Sequence, residues 1–145
     1  MRAASILAIA LALASCGRGG GEDGGAGPRV IVEHASVTLP AVPGRPGAAY
    51  YTLESNAGAA LVGIASPRFE RAELHDAGMR PAARFPISAD APLVFAPGGR
   101  HAMLYGLDAA LRPGDRIALI FTFEGAPAVT ATAEVRAPGD VVGDH

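Results

Sequence analysis

The chain has 145 residues, about the size of one domain, and half of them are apolar, so one hydrophobic core is available. Acidic and basic residues nearly cancel to a net charge of −2, which argues against the basic excess of a nucleic-acid-binding protein. The 19 glycines and 12 prolines are too many for a helical bundle and favour short strands joined by turns.

Residues 1–15 have the pattern of a secretory signal peptide, with Arg2 before an apolar run at 3–14. The run is too short for a membrane-spanning helix, which needs about 20 residues. It ends in Leu13-Ala14-Ser15-Cys16, which resembles the lipobox of bacterial lipoproteins, where the cysteine is acylated and becomes the first mature residue. We therefore predict lipidation of Cys16. The alternative is an ordinary signal peptide beside an incidental cysteine.

The composition of the segment after the signal peptide predicts a flexible tether. Residues 16–28 comprise the lipidated Cys16 and twelve further residues, of which seven are glycine, a composition typical of flexible coil. We predict one domain over residues 29–136 and a flexible polar tail over residues 137–145. Because Cys16 is the only cysteine, the chain cannot form an internal disulfide.

The sequence pattern of this domain predicts an all-β fold. Runs rich in Val, Ile, Tyr, Phe and Thr alternate with Pro/Gly turns, as in sandwiches and barrels. Eight strands are predicted, at residues 30–34, 48–54, 60–65, 69–75, 92–96, 101–107, 116–123 and 128–136. The last two alternate well and predict an antiparallel hairpin across residues 124–127.

Methionine and histidine concentrate in one short window. Both methionines that follow the signal peptide, Met79 and Met103, lie with His75 and His101 within 29 residues. Because side chains two apart on a strand share a face, His101 and Met103 are expected to emerge together. Thioether and imidazole ligands select a soft cation, Cu(I) foremost. The alternatives are core packing of Met103 and, for His101, an ordinary surface or hydrogen-bonded histidine.

The stretch 72–107 resembles the periplasmic copper chaperones of the PCu(A)C family. Their signature is a His, a Met and then His-X-Met after 21 residues, with a Pro-Gly-Gly turn before the second His. Here residues 80–100 separate Met79 from His101, and Pro97-Gly98-Gly99 precedes His101. Further matches are Ala48-Ala49-Tyr50-Tyr51, Glu73-Leu74-His75 and Leu119-Ile120-Phe121-Thr122-Phe123. The resemblance covers about residues 30–135.

The resemblance implies a cupredoxin-like fold, a Greek-key, immunoglobulin-like antiparallel β-sandwich, which agrees with the strand pattern. It also implies copper ligands at His75, Met79, His101 and Met103. One departure concerns Met79, because the family usually places about ten residues between its first His and first Met, and this chain has three. The short loop either delivers Met79 to the metal or leaves three ligands. Asp76, beside His75, is a candidate acceptor that would orient an imidazole, but we favour its interpretation as a solvated loop residue.

The implied function is extracytoplasmic Cu(I) carriage toward the copper centre of a terminal oxidase, with an oxidase subunit or another copper chaperone as acceptor. Anchoring through Cys16 would hold a monomeric domain at a bacterial membrane. No enzymatic motif is present: neither Gly-X-Ser-X-Gly nor His-Glu-X-X-His occurs. Two alternatives stay open, an immunoglobulin-like envelope lipoprotein that binds no metal and a protein that only buffers copper.

Overall fold

A computed structural model describes residues 27–140, which form nine β-strands and no helix in that range. The strands are β1 (Val30–Thr38), β2 (Gly47–Ser55), β3 (Ala59–Ala65), β4 (Arg71–His75), β5 (Phe85–Ile87), β6 (Leu93–Phe95), β7 (His101–Tyr105), β8 (Arg116–Glu124) and β9 (Val129–Arg136). None of these residues belongs to a helix long and apolar enough to cross a membrane.

The strands form one continuous sheet that curls on itself. Their order is β4-β7-β2-β1-β9-β8-β3-β5, and β6 pairs with β2 beside this path. Strands β3 and β4 lie near opposite ends of the order and yet contact each other, so the two halves of the sheet face one another across the core. All described pairs are antiparallel except β1 with β9, which is parallel. The predicted all-β, cupredoxin-like class is confirmed.

Strict alternation along two strands builds the core. In β8, residues alternate between exposed and buried from Arg116 to Glu124, and β2 buries every second side chain over most of its length. Between the two layers, the Tyr51 ring stacks on Phe95 with centroids 4.6 Å apart and meets Phe121 edge-on at 4.8 Å. These ring geometries are favourable for aromatic pairs and fix the spacing of the layers.

The predicted strands correspond to eight of the nine observed ones, with ends that differ by up to four residues. The hairpin expected at the end of the domain is present, since β8 and β9 pair antiparallel from Arg116 opposite Glu134 to Phe121 opposite Val129. The sequence reading missed β5. This strand has three residues with Pro86 at its centre, and proline is tolerated there because β5 is an edge strand paired only with β3 along the sheet.

Strand β1 is longer than the predicted segment, which ended at His34. His34 is exposed and has a φ of 53°, and the register with β2 shifts between Glu33 and Ser36. This bulge takes up extra residues, after which the strand resumes with Ser36 and Val37 both buried. The bulge hides the alternation that would identify a continuous strand. The predicted signal peptide, Cys16 and nearly all of the tether lie outside the described residues, as do residues 141–145 of the tail.

Candidate metal centre

Strands β4 and β7 hold the two histidines side by side. The strands pair antiparallel, so that His75 lies directly opposite His101, and residues opposite each other in a pair share a face of the sheet. Their rings meet edge-on, with centroids 5.1 Å apart and planes at 67°. His75 is 7% exposed and His101 9% exposed, so both imidazoles are largely withdrawn from water.

The same face carries two further pairs, while the opposite face of both strands packs into the core. Leu74 on β4 and Ala102 and Leu104 on β7 are buried in that core. The side chains on the other face therefore form three cross-strand pairs: His75 with His101, Glu73 with Met103, and Arg71 with Tyr105. In the last pair, the Arg71 guanidinium carbon lies 3.7 Å from the centre of the Tyr105 ring.

A tight turn between β6 and β7 positions His101. The Gly99 amide donates to the Ala96 carbonyl at 2.9 Å, and Gly98 has a φ of 80°. Proline followed by glycine with a positive φ is the arrangement of a type II turn. The Gly99 carbonyl accepts a hydrogen bond from His101 Nδ1 at 3.0 Å. The turn thus orients the imidazole, and it leaves Nε2 as the nitrogen with an available lone pair.

Met103 and Met79 border the same cavity as His101. This cavity has a volume of about 370 Å³, and its walls are completed by several glycine, alanine and proline residues together with Thr38, Leu39 and Tyr50. The expected shared orientation of His101 and Met103 is therefore present. His75 is not among the lining residues but contacts the ring of His101 from the neighbouring strand β4.

The short segment between His75 and Met79 is a tight reversal of the chain. The Met79 amide donates to the Asp76 carbonyl at 3.1 Å, and His75 pairs with Pro81 across the turn. Met79 itself has a φ of 63°, a left-handed conformation uncommon for a residue with a side chain. This conformation turns the chain within three residues and brings the 62% exposed Met79 side chain to the cavity.

Asp76 stabilises this turn and accepts no hydrogen bond from an imidazole. Its Oδ1 accepts hydrogen bonds from the amides of Gly78 at 2.8 Å and Arg80 at 3.0 Å. These backbone donors, that of Arg80 foremost, lower the pKa of the Asp76 carboxyl. Its role in the structure is therefore to shape the loop that carries Met79.

The sequence analysis did not predict that Glu73 contacts a histidine of the site. Its Oε1 lies 2.8 Å from His75 Nε2, while Oε2 accepts from Arg71 at 3.3 Å. The hydrogen bond with His75 is the main cause that lowers the pKa of Glu73, and Arg71 adds to it. The signal was present in the Glu73-Leu74-His75 alternation, because residues two apart on a strand share a face.

The other nitrogen of His75 has no hydrogen-bond partner. Nδ1 is buried, and no donor or acceptor reaches it. Among residues 27–140, no group of three or more His, Cys, Asp and Glu side chains is placed to hold a metal ion. The donors that border the cavity are instead one imidazole and two thioethers, and the His75 imidazole contacts that of His101. Imidazole and thioether donors suit a soft cation such as Cu(I).

The fold and this cluster define a cupredoxin-like β-domain with a His/Met site at one end of β4 and β7. More specifically, the chain belongs to the LpqE-like family, since the family model described as "Putative lipoprotein LpqE-like" matches residues 30–135. No curated protein matches the sequence.

Solved structures with this fold include several PCuAC domains. The copper-bound PCuAC domain from PmoF2 is 23% identical and matches with a TM-score of 0.68 over 76% of this chain and 94% of its own. The apo PCuAC domain from PmoF1 is 24% identical, with a TM-score of 0.68 over 76% and 95%. The solution structure of CuI-DR1885 from Deinococcus radiodurans is 24% identical, with a TM-score of 0.61 over 78% of each chain. These matches confirm the fold that the PCu(A)C resemblance implied.

Proposed function

We propose that this protein is an extracytoplasmic copper chaperone that binds Cu(I) through His75, Met79, His101 and Met103. The observation that carries the proposal is the buried, unpartnered Nδ1 of His75, next to a second imidazole. An unsatisfied buried polar atom costs about 1–3 kcal/mol, so its presence in a folded domain calls for a physical reason. A bound cation supplies one, because the lone pair then has a partner.

The chemistry of the donors favours carriage of copper over catalysis. Imidazole and thioether ligands are neutral, so bound Cu(I) keeps its positive charge, and no thiolate holds it tightly. Blue-copper electron-transfer sites require a cysteine ligand, and residues 27–140 contain no cysteine. The copper-bound PCuAC domain from PmoF2 and CuI-DR1885 have the same fold and support the choice of copper.

A Cu(I) competition titration combined with X-ray absorption tests the site. We expect one copper per chain, with both nitrogen and sulfur scatterers. Replacing Met103 or Met79 by leucine keeps the volume of the side chain but removes the thioether, so each variant should lose one sulfur scatterer. The loss in Met79→Leu decides whether the short loop delivers a fourth ligand.

His34→Asn is the matched control for the histidines. His34 is exposed in the β1 bulge, and asparagine tolerates its positive φ. This variant should bind copper like the unaltered chain, whereas His101→Ala combined with Met103→Ala should abolish binding. Failure of the unaltered chain to retain copper against a moderate chelator would refute the proposal.

We further infer that Cys16 carries lipid, that the glycine-rich tether holds the domain at a bacterial membrane, and that a terminal oxidase receives the copper. Confinement to a surface raises the effective concentration of the domain toward a membrane-bound acceptor. Deletion of the protein should then impair oxidase assembly when copper is scarce, and activity should return on copper addition. Sensitivity to excess copper with normal oxidase assembly would instead indicate buffering.

A further inference from the structure

The free lone pair is on a different ring nitrogen in each of the two histidines. At His75, Nε2 lies 2.8 Å from Oε1 of Glu73. A carboxylate only accepts hydrogen bonds, so the proton of a neutral His75 ring is on Nε2. The lone pair is then on Nδ1, the atom that is buried without a partner.

At His101 the arrangement is reversed. Nδ1 lies 3.0 Å from the Gly99 carbonyl oxygen, which also only accepts, so the proton is on Nδ1 and the lone pair is on Nε2. The acceptor here is part of the main chain of the turn before β7. It cannot be removed by substitution, which makes His101 an internal reference for His75.

Glu73 is itself held in place from the other side. Its second carboxylate oxygen accepts from Arg71 at 3.3 Å, and the Arg71 guanidinium lies 3.7 Å from the centre of the Tyr105 ring. The three residues of β4 that share this face therefore form a chain of contacts from Tyr105 to the His75 ring. A carboxylate that holds the second nitrogen of a histidine ligand sets the tautomer and raises the basicity of the ligating nitrogen.

We propose that His75 binds copper through Nδ1 and His101 through Nε2, and that Glu73 is the positioning residue that imposes the Nδ1 mode on His75. The inference rests on the proposed copper-binding function and specifies the chemistry of that site. It predicts a mixed pair of tautomers within one protein, a feature that can be read in the metal-free chain as well as in the loaded one.

Long-range proton–nitrogen NMR of the mature chain carrying Cys16→Ser tests the tautomers. In the metal-free protein at a pH where both imidazoles are neutral, His75 should show a protonated Nε2 and His101 a protonated Nδ1. Addition of Cu(I), which is diamagnetic, should shift the resonances of His75 Nδ1 and His101 Nε2. A protonated Nδ1 at His75, or a copper-induced shift at its Nε2, would overturn the inference.

The role of Glu73 is tested with Glu73→Gln against Glu124→Gln. Glu124 also pairs with an arginine, Arg84 at 2.8 Å, but contacts neither histidine. Loss of a carboxylate behind a histidine ligand lowers metal affinity about 10–100-fold, so Glu73→Gln should bind Cu(I) more weakly by this factor. It should also alter the nitrogen resonances of His75 and leave those of His101 unchanged. Glu124→Gln should change neither.

The outcomes separate the inference from the function on which it rests. If the unaltered chain binds no Cu(I), the proposed function fails, whatever tautomers the metal-free protein shows. If the unaltered chain binds Cu(I) and Glu73→Gln binds it equally well with unchanged His75 resonances, the copper function stands and Glu73 is not a positioning residue. Arg71→Ala serves as a second variant, since it releases Glu73 from Arg71 without touching His75 and should have a smaller effect of the same kind.

Discussion

At the scale of single residues, the backbone of Met79 is the clearest departure from an ordinary conformation. Its φ of 63° is a conformation that favours glycine, and a side chain there costs about 1–2 kcal/mol. Replacing Met79 by glycine would remove this cost. Glycine also loses more backbone entropy on folding, about 0.5–1 kcal/mol, which offsets part of the stability gained. We expect Met79→Gly to raise the free energy of unfolding of the metal-free protein by about 0.5–1 kcal/mol, measured by urea denaturation, while copper affinity falls.

Met103→Gly is the matched comparison for this prediction. Met103 lies in β7, where the backbone is extended, so glycine relieves no strain there. It brings an entropic disadvantage and also removes a half-buried side chain. This variant should lower both stability and copper affinity. A metal-free Met79→Gly protein that is less stable than the unaltered chain would contradict the interpretation that Met79 keeps a strained backbone for the sake of its side chain.

At the scale of elements, the turn between β6 and β7 links backbone conformation to ligand orientation. Gly98 has a φ of 80° and open space around the position of a Cβ atom, so Gly98→Ala changes the backbone preference without a steric clash. We expect a loss of stability of about 1 kcal/mol. Copper affinity should fall as well, because the Gly99 carbonyl that orients His101 belongs to the same turn.

Gly114→Ala provides the control for the turn. Gly114 also has a positive φ, 94°, and open space around it, but its turn precedes β8 and holds no histidine. It should lose similar stability and keep full copper affinity in the same chelator competition. Equal copper binding by both variants would show that the turn does not govern His101.

A second element, the loop between β7 and β8, should make stability depend on pH. The Asp108 carboxylate accepts from the Ala110 amide at 2.9 Å and from Arg68 at 3.0 Å, and these donors, Ala110 foremost, lower its pKa. Because the pKa of Asp108 is lower in the folded state, its carboxylate stabilises the protein at pH values above the pKa of the unfolded chain, about 3.9. This stabilisation is lost as the pH falls through the pKa of the folded state.

The comparison of Asp108→Asn with the unaltered chain checks this sign. The difference in free energy of unfolding should be largest at neutral pH. It should shrink as the pH falls from about 4 through the lowered pKa of folded Asp108, below which both states of the unaltered chain bind the proton. Urea denaturation across a pH series measures it. Arg68→Gln keeps the Ala110 hydrogen bond and should give a smaller difference with the same sign. A difference that grows on acidification would refute the assignment.

At the scale of the whole molecule, the predicted lipid on Cys16 decides where the domain works. We expect the unaltered protein in the membrane fraction of cells and Cys16→Ser in the soluble fraction, with copper binding by the domain unchanged. Fractionation followed by immunodetection, with mass spectrometry of the mature N-terminus, measures both. Recovery of Cys16→Ser at the membrane in unaltered amount would contradict anchoring by lipid.

The sequence predicted best those structural features that depend on residues close together in the chain, and it predicted less well those that depend on contacts between distant segments. The alternation in β8 and β9 and the turn before His101 depend on neighbouring residues, and these predictions are confirmed. Strand β5 was missed because a three-residue strand around Pro86 exists only through pairing with β3. The extension of β1 was missed because the bulge at His34 interrupts its pattern.

The sequence by itself determined the all-β class, the most regular strands, and the chemical nature of the His/Met window, because these follow from periodicity and residue type. Tertiary structure alone decided that His75 lies opposite His101 and that Met79 borders the cavity despite its short loop. The physical reason is that both features depend on contacts between distant segments of the chain. The pairing register of β4 with β7 sets which residue lies opposite His75, and a shift of one residue would pair His75 with a residue whose side chain is on the other face.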